Sequence, residues 1–306
     1  RMKILLVPSN PGWAFDHRAR DLMSLRMKGI RFRLKYLREV EPKDRYEYDL
    51  IYPLTLDGAK ILKNRSGIPY RKMAAGITSL RSIESYRKEG GRFDSDFIKF
   101  IKSLRGVNTA SDEIVRLFDK QCKVHKTRVG IDDKLFKPAS SPPRNKTFTV
   151  GWVGRIDKPD YRELKGYDIA LSALKGLDAK LKIRTYKENY VPRHKMVSFY
   201  QGLDCFLCTS WSEHIPLPIL EAAACGVPII TTKVGIVPEL IKSKENGIIV
   251  SRTPDAIRQA VRHLKENEKE RKALGLNVRK TIVSHWTLES CKADWEAFFK
   301  SMAQER

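Results

Sequence analysis

The chain has 306 residues, 42% hydrophobic and 31% charged, which is enough apolar material for one large domain or two ordinary ones and excludes a wholly disordered protein. No run of about 18 apolar residues occurs, which excludes a transmembrane helix. The net charge of +23 predicts either an anionic partner or a basic, solvated surface.

Short apolar runs alternate with amphipathic stretches in the first half, a pattern typical of βαβ units and parallel sheets. Pro8 and Gly12 end the first run after about five residues, which is too short for a signal peptide and favours a strand. Predicted strands are Lys3–Val7, Arg31–Leu37, Asp49–Tyr52, Lys72–Ile77, Gly106–Thr109 and Val124–Val129, and predicted helices are Phe15–Met27, Phe97–Leu104 and Ser111–Phe118.

Prolines and serines between Asp132 and Arg144 predict an interdomain linker, after which the alternation restarts. The strands predicted beyond it are Phe148–Val153, Lys180–Thr185, Asp204–Cys208, Pro228–Thr231 and Gly247–Val250, and the helices are Tyr167–Leu174, Lys195–Tyr200, Leu217–Ala224 and most of the chain from Pro254. The pattern indicates two Rossmann-like halves joined by a hinge.

The five cysteines are odd in number and irregularly spaced, which favours a reducing, cytoplasmic compartment over a disulfide framework. Cys205 and Cys208 have CxxC spacing, but on a strand they point to opposite faces and cannot share a metal. Asp94-Ser95-Asp96 is interpreted as a helix cap. The sequence therefore predicts no metal site.

Two cations follow the predicted strand that ends at Val153. Arg155 belongs to the motif Val153-Gly154-Arg155, and Lys165 lies ten residues beyond it. Ligands of open α/β sheets bind at the carboxyl ends of strands. An Arg clamps phosphate oxygens through two hydrogen bonds and a Lys adds a point charge, so the pair suits a diphosphate. Two solvated surface cations are the alternative.

Two glutamates, Glu213 and Glu221, flank the start of a predicted helix at Leu217. Because prolines 216 and 218 fix that start, Glu213 lies on the preceding loop and Leu217 is expected to present a free N–H to phosphate. Glu221 stands among apolar residues and needs partners, for which ribose hydroxyls or a buried cation would serve.

The second half resembles the nucleotide-sugar domain of glycosyltransferase family 4, retaining enzymes of two-Rossmann (GT-B) architecture. The resemblance covers residues 129–241 and rests on Val129-Gly-Ile-Asp132 to Phe136-Lys-Pro138, Gly151 to Arg155, Lys165-Gly166, Asp204 to Ser210, Glu213, Pro216 to Pro228, and Thr231 to Gly235 with Pro238-Glu239. It implies two Rossmann-like domains facing across a cleft: residues 1–140, with a helix of about 286–306 crossing back onto them, and residues 141–285.

The resemblance also implies residue roles. Arg155, Lys165 and Glu213 would be catalytic, the cations stabilising the departing diphosphate and Glu213 holding hydroxyls of the donor sugar. Glu221 would bind the ribose, Leu217 a phosphate, and Gly12 would let the first half approach that phosphate. Donor-binding residues are completed by Gly154, and by Tyr186 and Met196 near the base.

The implied function is transfer of a hexosyl-type group from a nucleoside diphosphate sugar to an acceptor hydroxyl with retention, without a required cofactor. The chain departs from the family pattern in His214 for Gly, Val129 for Asn, and the lack of a His after the fourth strand, near Met73 to Arg81. A basic nucleic-acid-binding protein on a degenerate scaffold and a sugar-nucleotide epimerase remain alternatives.

The partners expected are a UDP-, GDP- or ADP-sugar and an acceptor that the sequence does not identify. An acidic or membrane-associated acceptor would suit the excess of cations in residues 1–140, where 31 Lys and Arg face 17 Asp and Glu. No nucleic acid is expected, and the predicted location is the cytoplasm, including the inner face of the membrane.

Overall fold

A computed structural model describes residues 1–185 and 191–303, which form two compact units. Unit 1 comprises Arg1–Val129 with Leu288–Arg306, and unit 2 comprises Gly130–Thr287. The sequence placed the boundary after residue 140 instead. Phe136 explains the difference, because it is fully buried in the apolar core of unit 2 and its carbonyl accepts a 2.9 Å hydrogen bond from Arg279. The first part of the expected linker is therefore packed structure.

Unit 1 is built on parallel strands arranged as two short sheets. Their strands are β1 (Met2–Leu6), β2 (Ile30–Leu34), β3 (Leu50–Tyr52), β4 (Ala74–Ile77), β5 (Gly106–Thr109) and β6 (His125–Lys126). The orders are β2-β1-β3 and β4-β5-β6. One parallel bridge between Ile51 and Met73 joins them, so the strands follow one another as in a single Rossmann-like sheet.

Helices cover these sheets. In unit 1 they are α1 (Ala14–Ser24), α2 (Asp44–Glu47), α3 (Leu56–Ser66), α4 (Ser95–Ser103) and α5 (Asp112–Phe118), with α13 (Leu288–Ser301) added from the end of the chain. The rings of Trp295, Phe298 and Phe299 in α13 pack edge-on against Tyr52 of β3, at centroid distances of 5.7 to 6.2 Å. This aromatic cluster ties the last helix to the strands of unit 1.

Unit 2 contains one five-stranded parallel sheet. Its strands are β7 (Phe148–Val153), β8 (Ala179–Arg184), β9 (Cys205–Cys208), β10 (Ile229–Thr231) and β11 (Ile248–Ile249), in the order β11-β10-β9-β7-β8. The chain therefore winds one way from β7 to β8 and the other way from β9 to β11. The reversal makes the gap between the ends of β7 and β9 the switch point, where open α/β sheets bind ligands.

The helices of unit 2 flank this sheet. They are α6 (Pro159–Lys165), α7 (Tyr167–Leu174), α8 (Met196–Gln201), α9 (Leu217–Ala224), α10 (Val237–Leu240), α11 (Pro254–Glu266) and α12 (Glu268–His285). The core of the sheet is apolar, with Val150, Phe206 and Ile230 each at most 1% exposed. A strand buried on both faces reads as a continuous apolar run, as β9 does.

Most predicted elements are present with ends shifted by at most three residues, but the short α2 and the longer α3 and α6 were not predicted. Only one residue of α6, Leu164, is buried, and α3 buries Gly58 and Ser66 beside its apolar residues. Both helices therefore lack a clear apolar stripe in the sequence. Asp94 occupies the N-cap position of α4, as predicted, and its carboxylate pairs with Lys88 at 3.1 Å.

All five cysteines are free thiols. Cys205 and Cys208 lie on strand β9, as the sequence predicted, and both are buried. Among the described residues, no helix combines the length and apolarity needed to cross a membrane.

Candidate active site

A pocket lies at the switch point of unit 2. It is lined by the ends of β7 and β9, the last residue of α6, the loop 209–215 and the start of α9, in full Trp152, Val153, Lys165, Phe206, Cys208, Thr209, Ser210, Glu213, Ile215, Pro216, Leu217, Pro218 and Ile219. Its floor is apolar, and its charged groups come from α6 and from the loop after β9. An apolar cavity with a few convergent polar groups is the usual form of a small-molecule site.

Lys165 and Glu213, predicted from positions 48 residues apart in the chain, form an ion pair in this pocket. The Lys165 Nζ donates to Glu213 Oε1, and the Ser210 hydroxyl donates to the same oxygen at 2.8 Å. The side chains of Lys165 and Glu213 are 24% and 15% exposed, so the pair is partly shielded from water. The pocket thus presents a fixed cation and a fixed carboxylate side by side.

The loop that carries Glu213 is held from the side of β10. Gly235 has φ +51, and a β-carbon there would overlap the backbone of His214. The Ile236 N–H donates to the His214 carbonyl at 3.1 Å. The sequence Thr231 to Gly235, which the resemblance singled out, therefore supports the backbone next to Glu213.

Leu217 lies at the start of α9 and lines the pocket. The sequence predicted a free N–H at this residue, but the N–H is hydrogen-bonded. The Leu217 N–H donates to the Ile215 carbonyl at 2.9 Å, and the Ile219 N–H donates to the Pro216 carbonyl at the same distance. Pro218 has no N–H to offer. The prolines that fix the helix start thus also fold the preceding loop back onto it. The prediction that the Leu217 N–H is free for phosphate is therefore wrong.

Arg155 follows β7, as predicted, and is held by two residues of the next turn and helix. Its Nε and Nη2 each donate to the Asp157 carboxylate at 2.9 Å, and its guanidinium stacks 3.9 Å from the centre of the Tyr161 ring. The Asp157 side chain is 5% exposed, whereas that of Arg155 is 34% exposed. Arg155 is therefore oriented at the strand end rather than being a free surface cation.

Glu221 is buried in the middle of α9, with 9% of its surface exposed. Its charge acts on two buried neighbours: the pKa of Tyr200 is raised first by burial and then by Glu221, and the pKa of Cys225 rises to about 12 for the same two reasons. Glu221 therefore lies within the apolar core of unit 2, next to Tyr200 and Cys225.

The remaining predicted residues lie in several places. Within the described part of the chain, the residues that line the pocket do not include Gly154, Arg155, Met196 or Glu221. Met196 is 7% exposed in the apolar core, and Gly154 directly follows β7. Gly12 is in unit 1, in the loop before α1, with φ +76. Tyr186 lies outside the described residues.

Cys208, Thr209 and Ser210 belong to the segment Asp204 to Ser210 that carries the resemblance, but they were not predicted as site residues, although they stand at the end of β9, where parallel sheets bind ligands. Burial raises the pKa of the Cys208 thiol and the nearby Glu213 charge raises it further. A thiol held neutral in this way is a poor nucleophile, so Cys208 contributes to the wall of the pocket rather than to covalent chemistry.

Comparison with known proteins relates the chain to glycosyltransferases. Residues 174–281 match the family "Glycosyl transferases group 1". An uncharacterized glycosyltransferase of Methanocaldococcus jannaschii, MJ1178, is 28% identical over 148 residues, which is 42% of each chain. The chain thus spans less than half the length of this relative.

Two solved structures share the fold of the entire chain. Sucrose-phosphate synthase from Thermosynechococcus elongatus superposes with a TM-score of 0.79 at 14% identity, covering 100% of both chains. Anabaena Alr3699/HepE, solved in complex with UDP-glucose, gives 0.79 at 15% identity and covers 98% of this chain and all of its own. The fold is that of the GT-B glycosyltransferases, with two Rossmann-like domains, as predicted. The chain therefore has the GT-B fold, and its residues 174–281 match a family of glycosyltransferases.

Proposed function

We propose that this protein is a retaining glycosyltransferase of family 4 that moves a sugar from a nucleoside diphosphate sugar to an acceptor hydroxyl. The observation that carries the proposal is the Lys165–Glu213 pair in a pocket at the switch point of unit 2. That position is where doubly wound sheets bind nucleotides. A cation paired with a carboxylate gives the pocket one group for phosphate and one for hydroxyls.

Cleavage of a donor develops negative charge on the departing diphosphate, and fixed positive groups lower that barrier. The ammonium of Lys165 has three donors, of which Glu213 takes one, so the others can reach phosphate oxygens. Arg155, oriented by Asp157 and Tyr161, would add a second cation at the end of β7. These two residues are proposed to stabilise the leaving group.

Glu213 is proposed to bind the donor sugar. Both of its contacts, from Lys165 and from Ser210, use Oε1, so the described residues leave Oε2 as the acceptor for a sugar hydroxyl. A carboxylate held by two donors is already oriented before the ligand arrives, which reduces the ordering cost of binding. Glu221, which is buried and does not line the pocket, is proposed to bind the ribose, as the family resemblance implies.

The retaining outcome is proposed from the family resemblance, with the leaving phosphate taking the acceptor proton. No metal or other cofactor is required in this scheme. UDP-glucose is the first donor to test, because Anabaena Alr3699/HepE was solved with it and with UDP. The acceptor is proposed to be anionic or membrane-associated, in keeping with the basic charge of the chain.

The test is a donor screen followed by two variants. UDP-, GDP- and ADP-sugars are incubated with a panel of acidic and neutral acceptors, products are identified by mass spectrometry, and NMR gives the anomeric configuration. We expect Lys165→Ala and Glu213→Ala each to lower kcat by about 100- to 1,000-fold, as loss of a charge-stabilising group does. The control Lys272→Ala removes an exposed pair with Glu268 and leaves turnover unchanged.

Other outcomes contradict the proposal in identifiable ways. Inversion at the anomeric carbon would exclude the retaining mechanism. A changed nucleotide sugar formed without any acceptor would indicate an epimerase. Tight, salt-dependent binding of nucleic acid together with inert nucleotide sugars would favour a binding protein on a transferase scaffold.

A further inference from the structure

Arg252 lies outside the pocket, yet it contacts both segments that carry the Lys165–Glu213 ion pair of the pocket. It lies between β11 and α11, half-buried. Its Nε donates to the Thr209 carbonyl at 2.9 Å, and its Nη2 donates to the Glu163 carbonyl at 2.5 Å. Thr209 begins the loop that leads to Glu213, and Glu163 lies in α6, two residues before Lys165.

We propose that Arg252 is a positioning residue that fixes the end of α6 against the loop after β9 and thereby sets the geometry of Lys165 and Glu213. The inference rests on the proposed glycosyl transfer and concerns the same pocket. No atom of Arg252 is proposed to touch the donor.

The Thr209 side chain forms the other half of this connection. Its hydroxyl oxygen lies 2.7 Å from the Lys165 carbonyl and 2.9 Å from the Gly166 carbonyl, and it accepts a 3.0 Å hydrogen bond from the Trp152 indole. A hydroxyl has one proton, so the two carbonyls share it. The Thr209 backbone thus binds Arg252, while the Thr209 side chain binds the carbonyls at the end of α6.

The end of α6 needs such a partner. The last carbonyls of a helix lack intrahelical donors, and a cation at that end is stabilised by the helix dipole. A planar guanidinium reaches two carbonyls at once with a fixed angle between them, which a flexible ammonium does not. Besides Arg252, the Thr209 hydroxyl binds the carbonyls at this helix end, and backbone N–H groups join it through Gly166 to Glu163 and Trp211 to Leu164.

The consequence for the reaction is a geometric one. Lys165 is the last residue of α6, so a small rotation of that helix end moves its ammonium relative to Glu213. A displacement of about 1 Å in a catalytic group costs about 100-fold in rate. Arg252→Ala is therefore expected to lower kcat by about 100-fold, with less than about a threefold change in KM, because donor contacts remain while transition-state alignment is lost.

The experiment compares Arg252→Ala and Arg252→Lys with Arg258→Ala. Arg258 donates to the carbonyls of Ala173, in the last turn of α7, and of Lys175, just after α7, so Arg258→Ala removes a comparable helix-end contact that does not touch the pocket. We expect equal falls in Tm for the two Ala variants, a loss of kcat only for Arg252→Ala, and incomplete rescue by Arg252→Lys. Equal kcat for Arg252→Ala and Arg258→Ala would overturn the proposal.

A double-mutant cycle adds a readout that a purely structural role would not move. In a Lys165→Ala background, Arg252→Ala is expected to cost less than about twofold further, because residues that act as one unit are not additive. Full additivity would overturn the proposal. The proposed function fails separately: in that case the wild-type protein turns over no nucleotide sugar, whereas failure of this inference leaves wild-type turnover intact.

Discussion

Gly166 lies directly against Thr209: a β-carbon on Gly166 would overlap the Thr209 carbonyl oxygen and crowd its side chain. Gly166 also has φ +71, the left-handed conformation that ends α6 and begins α7. Two independent constraints, backbone conformation and close approach, therefore require glycine at the residue that follows Lys165.

Gly166→Ala is expected to lower the free energy of unfolding by roughly 3 kcal/mol or more, since it adds left-handed strain and an overlap with backbone. Gly176→Ala is the matched control, with φ +79 but only the far end of the Arg258 side chain within 3.5 Å. It should cost about 1 kcal/mol. Urea denaturation measures both, and equal losses would show that the contact with Thr209 is unimportant.

Arg155→Lys is expected to lower transfer by at least about tenfold, because lysine keeps the charge but loses the two-pronged contact to Asp157 and the stacking on Tyr161. Arg162 offers a control of the same design, with two hydrogen bonds to Asp168 and its guanidinium 4.8 Å from the Tyr167 ring. Arg162→Lys should change kcat/KM by less than about twofold. Similar losses in both variants would contradict a specific role for Arg155.

Thiol labelling is expected to separate Cys122 from the other cysteines. Cys122 is half-buried and burial raises its pKa, whereas Cys225 and Cys291 are buried and their pKa values are raised to about 12 and about 11. At a pKa of about 12 the thiolate fraction near neutral pH is about 1,000-fold below that of an ordinary cysteine. A native protein should therefore give one fast reaction with a disulfide reagent and four more only in denaturant, and Cys122→Ser should remove the fast one.

Acid is expected to weaken unit 1 through His125. Burial, and then the charge of Lys123, lower the pKa of His125 from its ordinary 6.5, and its ring lies 5.2 Å from that of Phe298 in α13. The folded protein thus favours the neutral ring. Its stabilising effect is complete above pH 6.5 and is lost as the pH falls through the lowered value.

His125→Gln should therefore show a shallower loss of unfolding free energy between pH 7 and pH 5 than the wild type, measured by urea denaturation. His194→Gln, at an exposed position, is the control and should follow the wild-type curve. If the unfolding free energies of all three proteins fell in parallel with pH, the proposed role of His125 in acid destabilisation would be contradicted.

The sequence by itself determined the fold class and the existence of most elements, because buried parallel strands need continuous apolar runs that leave a clear pattern. β7, α7 and α9 even begin and end where predicted. The order of residues also indicated Lys165 and Glu213, since both follow predicted strands of the same sheet. Helices α3 and α6 left no such pattern. The buried face of α3 includes a glycine and a serine, and that of α6 consists of a single leucine.

Only the tertiary structure decided how the candidate site is assembled. The contact of Lys165 with Glu213 and the link from Arg252 to Thr209 and Glu163 each join backbone segments whose meeting depends on strand order. Strand order β11-β10-β9-β7-β8 comes from long-range packing, which no local propensity records. The sequence therefore predicted two charged residues of the pocket, Lys165 and Glu213, whereas the fold determined their geometry.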